Sequence, residues 1–233
     1  MKKYDVVYFV KETTTNEELR YSLRSIEKNF PHNKVWFVGG QPNGLEPDEK
    51  LRLVQAGLSK YSNVGSLLIR TLEEEKISED FWYFNDDFFV MQPIKDLPPI
   101  YYKDLYRYII NVENNNGIAA SPYTKRLRHT ISLLEENGLE VLNYETHTPI
   151  LINRKKALDV IRKFGRGLAF RSLYGNYYKI GGKDTKDVKV IDTEKEVSEK
   201  SILLSTSDRA FKSGRIGEFI KTKFTERSRF END

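Results

Sequence analysis

The sequence contains no cysteine and only three histidines in 233 residues. Without cysteine the chain cannot form disulfides, thiolate metal sites or a thiol nucleophile. Any metal binding or acid-base chemistry must therefore use carboxylates, the few histidines, hydroxyls or amines. A chain without cysteine is compatible with every compartment, and a reducing one is the simplest interpretation.

The sequence also lacks a long apolar run. Its first apolar segment, Tyr4–Val10, ends at Lys11 and is too short for a secretory signal or a membrane span. We therefore expect a cytoplasmic protein without a transmembrane segment. The net charge is +4, yet no long block of basic residues is present. This charge balance permits an anionic partner, including nucleic acid, without requiring one. The sequence does not indicate the oligomeric state.

The composition, 39% hydrophobic and 31% charged, is typical of one globular domain of this length. The first third alternates between the two element types. Strands are predicted at Tyr4–Val10, Lys34–Val38 and around Phe81, and helices at Glu17–Phe30, Glu46–Tyr61 and Gly65–Glu75. This alternation predicts an α/β fold with a mostly parallel sheet flanked by helices.

An acidic step interrupts the most apolar stretch, Asp80–Val90. The aromatic and aliphatic residues on both sides predict a buried strand, but Asp86 and Asp87 lie in its middle. Burying unpaired carboxylates costs several kcal/mol, so these side chains should face a cleft, a cation or strong donors. If the strand is continuous, Asn85 and Asp87 share a face. Alternatively, the three residues form a surface turn.

The ligand crevice of such a sheet lies beyond the carboxyl ends of its strands. Three polar or glycine-containing segments follow the predicted strands there. The candidate binding residues in them are Thr13, Thr14, Gly40, Gln41 and Asn85. Glycine at such a position permits close approach of a ligand to the backbone.

Two arginines, Arg20 and Arg24, are four residues apart on the first predicted helix and therefore lie on one face. Just after a strand and a hydroxyl-rich loop, they could hold a diphosphate. The alternative is that they form surface ion pairs with Glu17 and Glu27.

Glu145 and His147 precede an apolar segment and would share a face if extended. His147 is the best histidine candidate for a metal ligand or proton carrier, and a histidine bound to a backbone carbonyl is the alternative. Further along, Arg171, Tyr174 and Asn176 combine a cation, an aromatic ring and an amide, as sugar sites do. An ordinary tyrosine-rich loop would contain the same residues.

Four segments, in this order, resemble the Stealth family of sugar-phosphate transferases. They are Asp5–Tyr8, Glu18–Glu27, Tyr83–Phe88 and Glu145–Pro149. The resemblance implies a core similar to the GT-A fold of nucleotide-sugar glycosyltransferases. It also implies that Asp86 and Asp87 hold a divalent cation and the donor diphosphate, that Arg20 and Arg24 lie near the donor, and that His147 lies at the reacting centre.

On this basis we expect residues 1–92 to form a nucleotide-sugar-binding half and residues 93–225 an acceptor-side half of a single GT-A-like domain. Residues 226–233 are expected to form a polar tail, with the alternative that Ser228–Phe230 fold back. The leading hypothesis is a glycosyltransferase that uses a nucleoside-diphosphate sugar and Mn²⁺ or Mg²⁺. Asp86, Asp87 and His147 are its predicted metal ligands. Alternatively, His147, together with Glu145, is the base that activates the acceptor hydroxyl.

Lys11 replaces the acid that usually follows the first strand in Stealth proteins, so transfer of a sugar and of a sugar phosphate both remain open. The acceptor is expected to be a glycan hydroxyl, with hydroxylated DNA bases as an alternative. A module that binds an anionic glycan or nucleic acid without turnover is a further alternative.

Overall fold

The computed structural model describes residues 2–55, 60–116 and 121–232. The strands are β1 (Asp5–Val10), β2 (Val35–Gly39), β3 (Glu49–Arg52), β4 (Asp80–Phe84), β5 (Phe88–Val90), β6 (Ile100–Tyr101), β7 (Ile150–Asn153), β8 (Lys183–Asp184), β9 (Lys189–Val190) and β10 (Leu203–Thr206). The helices are α1 (Glu17–Asn29), α2 (Lys60–Glu73), α3 (Leu105–Asn116), α4 (Pro122–Glu136), α5 (Arg154–Phe164), α6 (Phe170–Tyr177), α7 (Asp208–Ser213) and α8 (Arg215–Lys223).

A five-stranded sheet in the order β3-β2-β1-β4-β7 forms the centre of the molecule. Its first four strands are parallel, and β7 is antiparallel to β4. The predicted α/β class with a mostly parallel sheet flanked by helices is confirmed. The two halves interleave, because β7 completes the first sheet and β5 pairs with β10 of a second sheet, β5-β10-β9. Within the described residues, no helix is both long and apolar enough to cross a bilayer.

The side chains of alternate strand residues belong to two apolar cores, one on each face of the sheet. Tyr8, Phe37 and Phe84 pack with α1 on one face. Phe9 and Tyr83 pack with α2, α4, α5 and α6 on the other. Because both faces are covered, the inner strands β1, β2 and β4 are mostly apolar, as their sequences predicted, whereas the edge strand β3 is charged.

Helix α1 begins where its sequence predicted. The Oδ1 atom of Asn16 accepts a hydrogen bond from the backbone N–H of Leu19 at 2.9 Å, which satisfies one of the unpaired donors of the first turn. The helix ends at Asn29, two residues before Pro31. This start places the first turn of α1 beside the end of β4, where the acidic step lies.

The continuous strand predicted across Asp80–Val90 is wrong. Strand β4 ends at Phe84, the chain turns with Phe88 N–H donating to Asn85 O at 3.3 Å, and β5 continues in the second sheet. Turn chemistry at Asn-Asp-Asp outweighs the apolar run, so the face that Asn85 and Asp87 would share does not exist. The alternative interpretation, a turn, describes the backbone.

The helix predicted at Glu46–Tyr61 is also wrong in its first part. Residues Glu49–Arg52 form β3, paired in parallel with β2, because backbone pairing at the sheet edge outweighs their helix propensity. Residues 56–59 lie outside the described residues, and α2 begins at Lys60. The tyrosine-rich loop considered for residues 171–178 is instead mostly helix α6.

The segment predicted as a polar tail is folded onto the domain. Phe230 is 1% exposed and belongs to the α1-side core. Its carbonyl accepts from Glu46 N–H at 2.8 Å, and Asn232 N–H donates to Gly44 O at 3.1 Å. One buried aromatic ring and these backbone bonds fix the segment, which a count of its charged residues could not indicate.

Candidate active site

Asp87 lies in the turn between β4 and β5 and is held by the second sheet. Its Oδ2 atom accepts from Lys189 Nζ and from Ser205 Oγ, the latter at 3.1 Å. Lys189 Nζ also donates to the carbonyl of Thr206. The Oδ1 atom of Asp87 is buried and has no hydrogen-bond partner among the described residues. The carboxylate is therefore neutralised at Oδ2, whereas Oδ1 is unpaired in the described part of the chain.

Asp86 is tied to the start of α1. Its Oδ2 atom accepts from Asn16 Nδ2 at 2.7 Å. The same Asn16 side chain caps α1 through Oδ1. The positive end of the helix dipole therefore lies beside the acidic turn and favours negative charge there.

Glu18, in the first turn of α1, is an acidic residue of this site that the sequence did not reveal. It accepts from Thr206 Oγ1 at 2.6 Å. Burial, together with the charges of Asp87 and Asp86, raises the pKa of Glu18 to about 7, against the opposing effect of the Thr206 hydrogen bond. Glu18 can therefore exchange a proton near neutral pH.

His147 is paired with Asp187. Its Nδ1 lies 2.7 Å from Asp187 Oδ2, and its backbone N–H donates to Oδ1 at 3.0 Å. Burial alone would raise the pKa of Asp187, but the hydrogen bonds from His147 outweigh burial and the pKa is lowered. An ionised Asp187 fixes the proton of neutral His147 on Nδ1, so Nε2 is left to accept one.

Arg171 holds the segment around His147 from behind. It is 8% exposed, and it donates to the carbonyls of Thr146 and Thr148, on either side of His147. Burial lowers the pKa of Arg171, against the opposing effect of the Glu145 charge. The guanidinium lies 5.7 Å from the ring centre of Tyr83. Arg171 therefore positions the loop that carries His147.

Glu145 and His147 do not act on a common face, since residues 143–149 are not a strand. Glu145 Oε1 accepts from Ser172 N–H at 3.1 Å, whereas His147 faces Asp187. Glu145, Arg171 and Tyr83 instead line a cavity of about 80 Å³ on the α2 side of the sheet.

Tyr174 and Asn176 have their polar groups engaged within the fold. Tyr174 Oη accepts from Asn153 N–H at 2.9 Å. Asn176 bonds to the backbone of Leu142 and to Ser172 O. The structure thus uses both to hold α6 in place, and their predicted contact with a sugar stays a prediction.

The two arginines of α1 converge on the C-terminal segment. Arg24 binds Glu231 through two parallel hydrogen bonds of 2.8 and 2.7 Å, and Arg20 Nη1 donates to the same carboxylate at 3.0 Å. Arg20 also pairs with Glu17 at 3.0 Å, one of the predicted surface pairs. Glu231 thus occupies the arginine pair that the sequence assigned to the donor, and a donor contact there stays a prediction.

The loops at the carboxyl ends of β1 and β2 contact each other. Gly40 N–H donates to Val10 O at 2.8 Å, and a Cβ on Gly40 would lie 2.5 Å from Lys11 O. Glycine is therefore required by the packing of the two loops. Thr13 Oγ1 is buried without a partner in the described part of the chain, Thr14 O accepts from Asn43 N–H, and Gln41 donates to Glu46.

A divalent cation would find few protein ligands in this site. Among residues 2–55, 60–116 and 121–232, no three histidine or acidic side chains are grouped to hold one. His147 already uses Nδ1 for Asp187, whereas the open Oδ1 of Asp87 suits a cation. Since Mg²⁺ is often bound by one or two carboxylates together with substrate phosphates, Asp87 fits an ion that shares the donor. The metal stays a prediction.

A comparison of the sequence with curated proteins gives one relative. The chain resembles an exopolysaccharide phosphotransferase. This protein, from Nocardia farcinica (strain IFM 10152), is 28% identical over 171 residues, which are 66% of the chain and 33% of the relative. The chain thus spans about a third of that protein's length. No family model matches the sequence.

Two solved structures of the glycosyltransferase GlyE from Streptococcus pneumoniae TIGR4 also resemble the chain, at a level that supports no further argument. The apo form is 13% identical with a TM-score of 0.46, covering 97% of the chain and 61% of GlyE. The second is 10% identical with a TM-score of 0.36, covering 97% and 50%.

Three residues of the site were not indicated by the sequence pattern. They are Lys189, Asp187 and Glu18, and each belongs to a charged segment that resembles ordinary surface. The spacing of Asp187 and Lys189, two residues apart beside the short strand β9, was a signal for two of them, since such residues share a side when the chain is extended. The Nocardia relative by itself does not indicate them.

Proposed function

We propose that the chain is a transferase of polysaccharide synthesis, which joins a group from a nucleoside-diphosphate sugar to a hydroxyl of a glycan acceptor. The observation that carries the proposal is the adjacency of two pairs, His147–Asp187 and Asp87–Lys189, on the same short segment. The first pair is suited to proton transfer, and the second combines a cation with an open carboxylate oxygen. The name of the Nocardia relative supports the substrate class.

His147 is the acceptor base in this proposal. Nε2 takes the proton of the attacking hydroxyl, and ionised Asp187 stabilises the imidazolium that forms. The reaction also builds negative charge on the departing phosphate. Lys189 and the N-terminus of α1, held beside Asp86 by Asn16, stabilise that charge electrostatically. Asp87 would hold Mn²⁺ or Mg²⁺, which supplies further charge neutralisation when bound.

Two bonds could break. In sugar-phosphate transfer the acceptor oxygen attacks the β-phosphorus, the bridging P–O bond breaks and a nucleoside monophosphate leaves. The name of the Nocardia relative favours this form. In glycosyl transfer the oxygen attacks the anomeric carbon and a nucleoside diphosphate leaves. Lys11, which replaces the family's acid, favours this second form.

Product analysis tests the proposal and separates its two forms. The protein is incubated with UDP-, GDP-, CMP- and ADP-linked sugars and an oligosaccharide acceptor, with and without Mn²⁺, and products are followed by phosphorus NMR and mass spectrometry. A monophosphate with phosphate in the product supports the first form, and a diphosphate supports the second. No consumption of any donor under all conditions would contradict both.

The His147→Gln variant tests the base directly. We expect turnover to fall by roughly 10²-fold or more while donor binding is retained, since a general base typically contributes that much. His129→Gln is the matched control, because His129 is exposed on α4. Equal activity of the two variants would exclude His147 from the chemistry.

A further inference from the structure

A second cavity lies beside the edge strand β7, away from the acidic turn. Its volume is about 260 Å³, several times that of the cavity beside Arg171. Asp80, Trp82, Asn153, Lys156 and Tyr174 line it together with aliphatic side chains. Asp80 begins β4 and Phe84 ends it, so at about 3.3 Å per residue this strand separates Asp80 from the acidic turn by roughly 13 Å.

Trp82 brings an unsatisfied donor to this cavity. The side chain is buried at 4% exposure, and its indole Nε1 has no hydrogen-bond partner within the described chain. Leaving such a donor unpaired is unfavourable for the folded protein. The other tryptophan, Trp36, is satisfied: its indole N–H donates to Asp5 Oδ2 at 3.0 Å. Trp82 therefore lines the cavity with an indole N–H that has no protein acceptor among the described residues.

The remaining polar groups around the cavity are mixed in type. Tyr174 Oη accepts from Asn153 N–H, which leaves its own proton to donate. Asp80 Oδ1 accepts from Asn153 Nδ2 at 2.8 Å. Lys156 is exposed at the rim. The cavity thus offers two neutral donors, a carboxylate and an ammonium group beside aromatic and aliphatic walls.

We propose that this cavity binds one saccharide unit of the glycan acceptor, at a distance from the reacting centre. Sugar hydroxyls both donate and accept, which matches the mixed set, and the apolar faces of a sugar ring pack on aromatic side chains. Asp80 disfavours a phosphate or another anion, since like charges repel at close range. Only the source of the saccharide rests on the proposed function; the binding itself does not.

The two tryptophans make a direct test possible, since the chain contains only these two. In a ¹⁵N-labelled sample each gives one indole N–H signal, and Trp82→Phe identifies the Trp82 signal. Methyl glycosides of glucose, galactose and N-acetylglucosamine are titrated separately. We expect one of them to shift the Trp82 signal saturably, with a dissociation constant of about 1–10 mM, and to leave the Trp36 signal in place.

Two lysine variants provide the matched comparison. Lys156→Ala should weaken the sugar by roughly tenfold, since a hydrogen bond from a charged group is lost. Lys155→Ala should leave affinity unchanged, because Lys155 pairs with Glu79 at 3.1 Å outside the cavity. The proposal is overturned if no glycoside shifts the Trp82 signal, if both indole signals shift together, or if the two variants bind alike. These outcomes require no turnover, so they are independent of the transferase assays.

Discussion

Lys189 begins β9 and Asp187 lies two residues before it, and their side chains bind Asp87 and His147 respectively. Successive side chains of an extended segment alternate, so this spacing directs both toward one face. The two charged pairs of the candidate site are therefore positioned by one short segment. Moving this segment would disturb both pairs together.

Asp187→Asn tests the first pair. Asparagine keeps the shape but cannot stabilise the imidazolium by charge, so turnover should fall by roughly 10²-fold with donor affinity retained. Asp192→Asn, exposed just after β9, is the control. Turnover equal to that of the control would exclude Asp187 from the chemistry.

Lys189→Met tests the second pair. Removing the ammonium group leaves Ser205 Oγ as the remaining partner of Asp87 Oδ2 among the described residues, with Oδ1 still unpaired, so we expect Mn²⁺ to bind at least about tenfold more tightly in the absence of the sugar donor. Calorimetry or electron paramagnetic resonance measures this directly. Lys186→Met, exposed and three residues earlier, should leave the affinity at the wild-type value. Unchanged Mn²⁺ binding in Lys189→Met would argue against a cation at Asp87.

Glu18→Gln tests the buried acid of α1. The pKa of Glu18 is raised to about 7 in the fold. Because the pKa of Glu18 is higher in the folded than in the unfolded chain, protonated Glu18 contributes its full stability below the unfolded-state pKa. This contribution is lost as pH rises through 7. The variant should therefore be more stable than wild type by about 2 kcal/mol at pH 8 and similar to it at pH 5. Urea unfolding at both pH values measures the difference, and equal stability at pH 8 would contradict the assignment.

Glu231→Gln tests the contact between the C-terminal segment and α1. The Glu231 side chain is fully buried. Burial would raise its pKa, but hydrogen bonds from Arg24 and others lower it to about 2. The contribution is therefore present above the unfolded pKa and lost as pH falls toward 2. We expect the variant to lose about 2–3 kcal/mol at pH 7 and less at pH 3, by urea unfolding.

Glu226→Gln, on the exposed part of the same segment, is the control for that measurement. It should match wild type at both pH values. If the loss of unfolding free energy in Glu231→Gln were as large at pH 3 as at pH 7, its cause would be steric misfit of the glutamine side chain and not the lost charge.

Local patterns predicted the elements that depend on near neighbours. The Asn16 cap, the helix stripe of α1, and β1 and β2 follow from residues within about four positions of one another, as periodicity and capping do. The same reasoning failed at β3, whose partner strand supplies the hydrogen bonds that its own sequence does not predict. Local patterns also failed at Asp80–Val90, where the apolar run favours one continuous strand and Asn-Asp-Asp favours a turn.

By itself, the sequence determined a mostly parallel α/β sheet and marked Asp86 and Asp87 as unusual, because unpaired charge within an apolar segment is costly wherever it occurs. It marked His147 for another reason, as one of only three histidines and two residues from Glu145. Only the tertiary structure decided what those side chains face. Lys189 meets Asp87 across 102 residues, Asp187 meets His147 across 40, and Glu231 meets Arg24 across 207. Such pairings depend on how distant elements pack together, and no local pattern of residues encodes them.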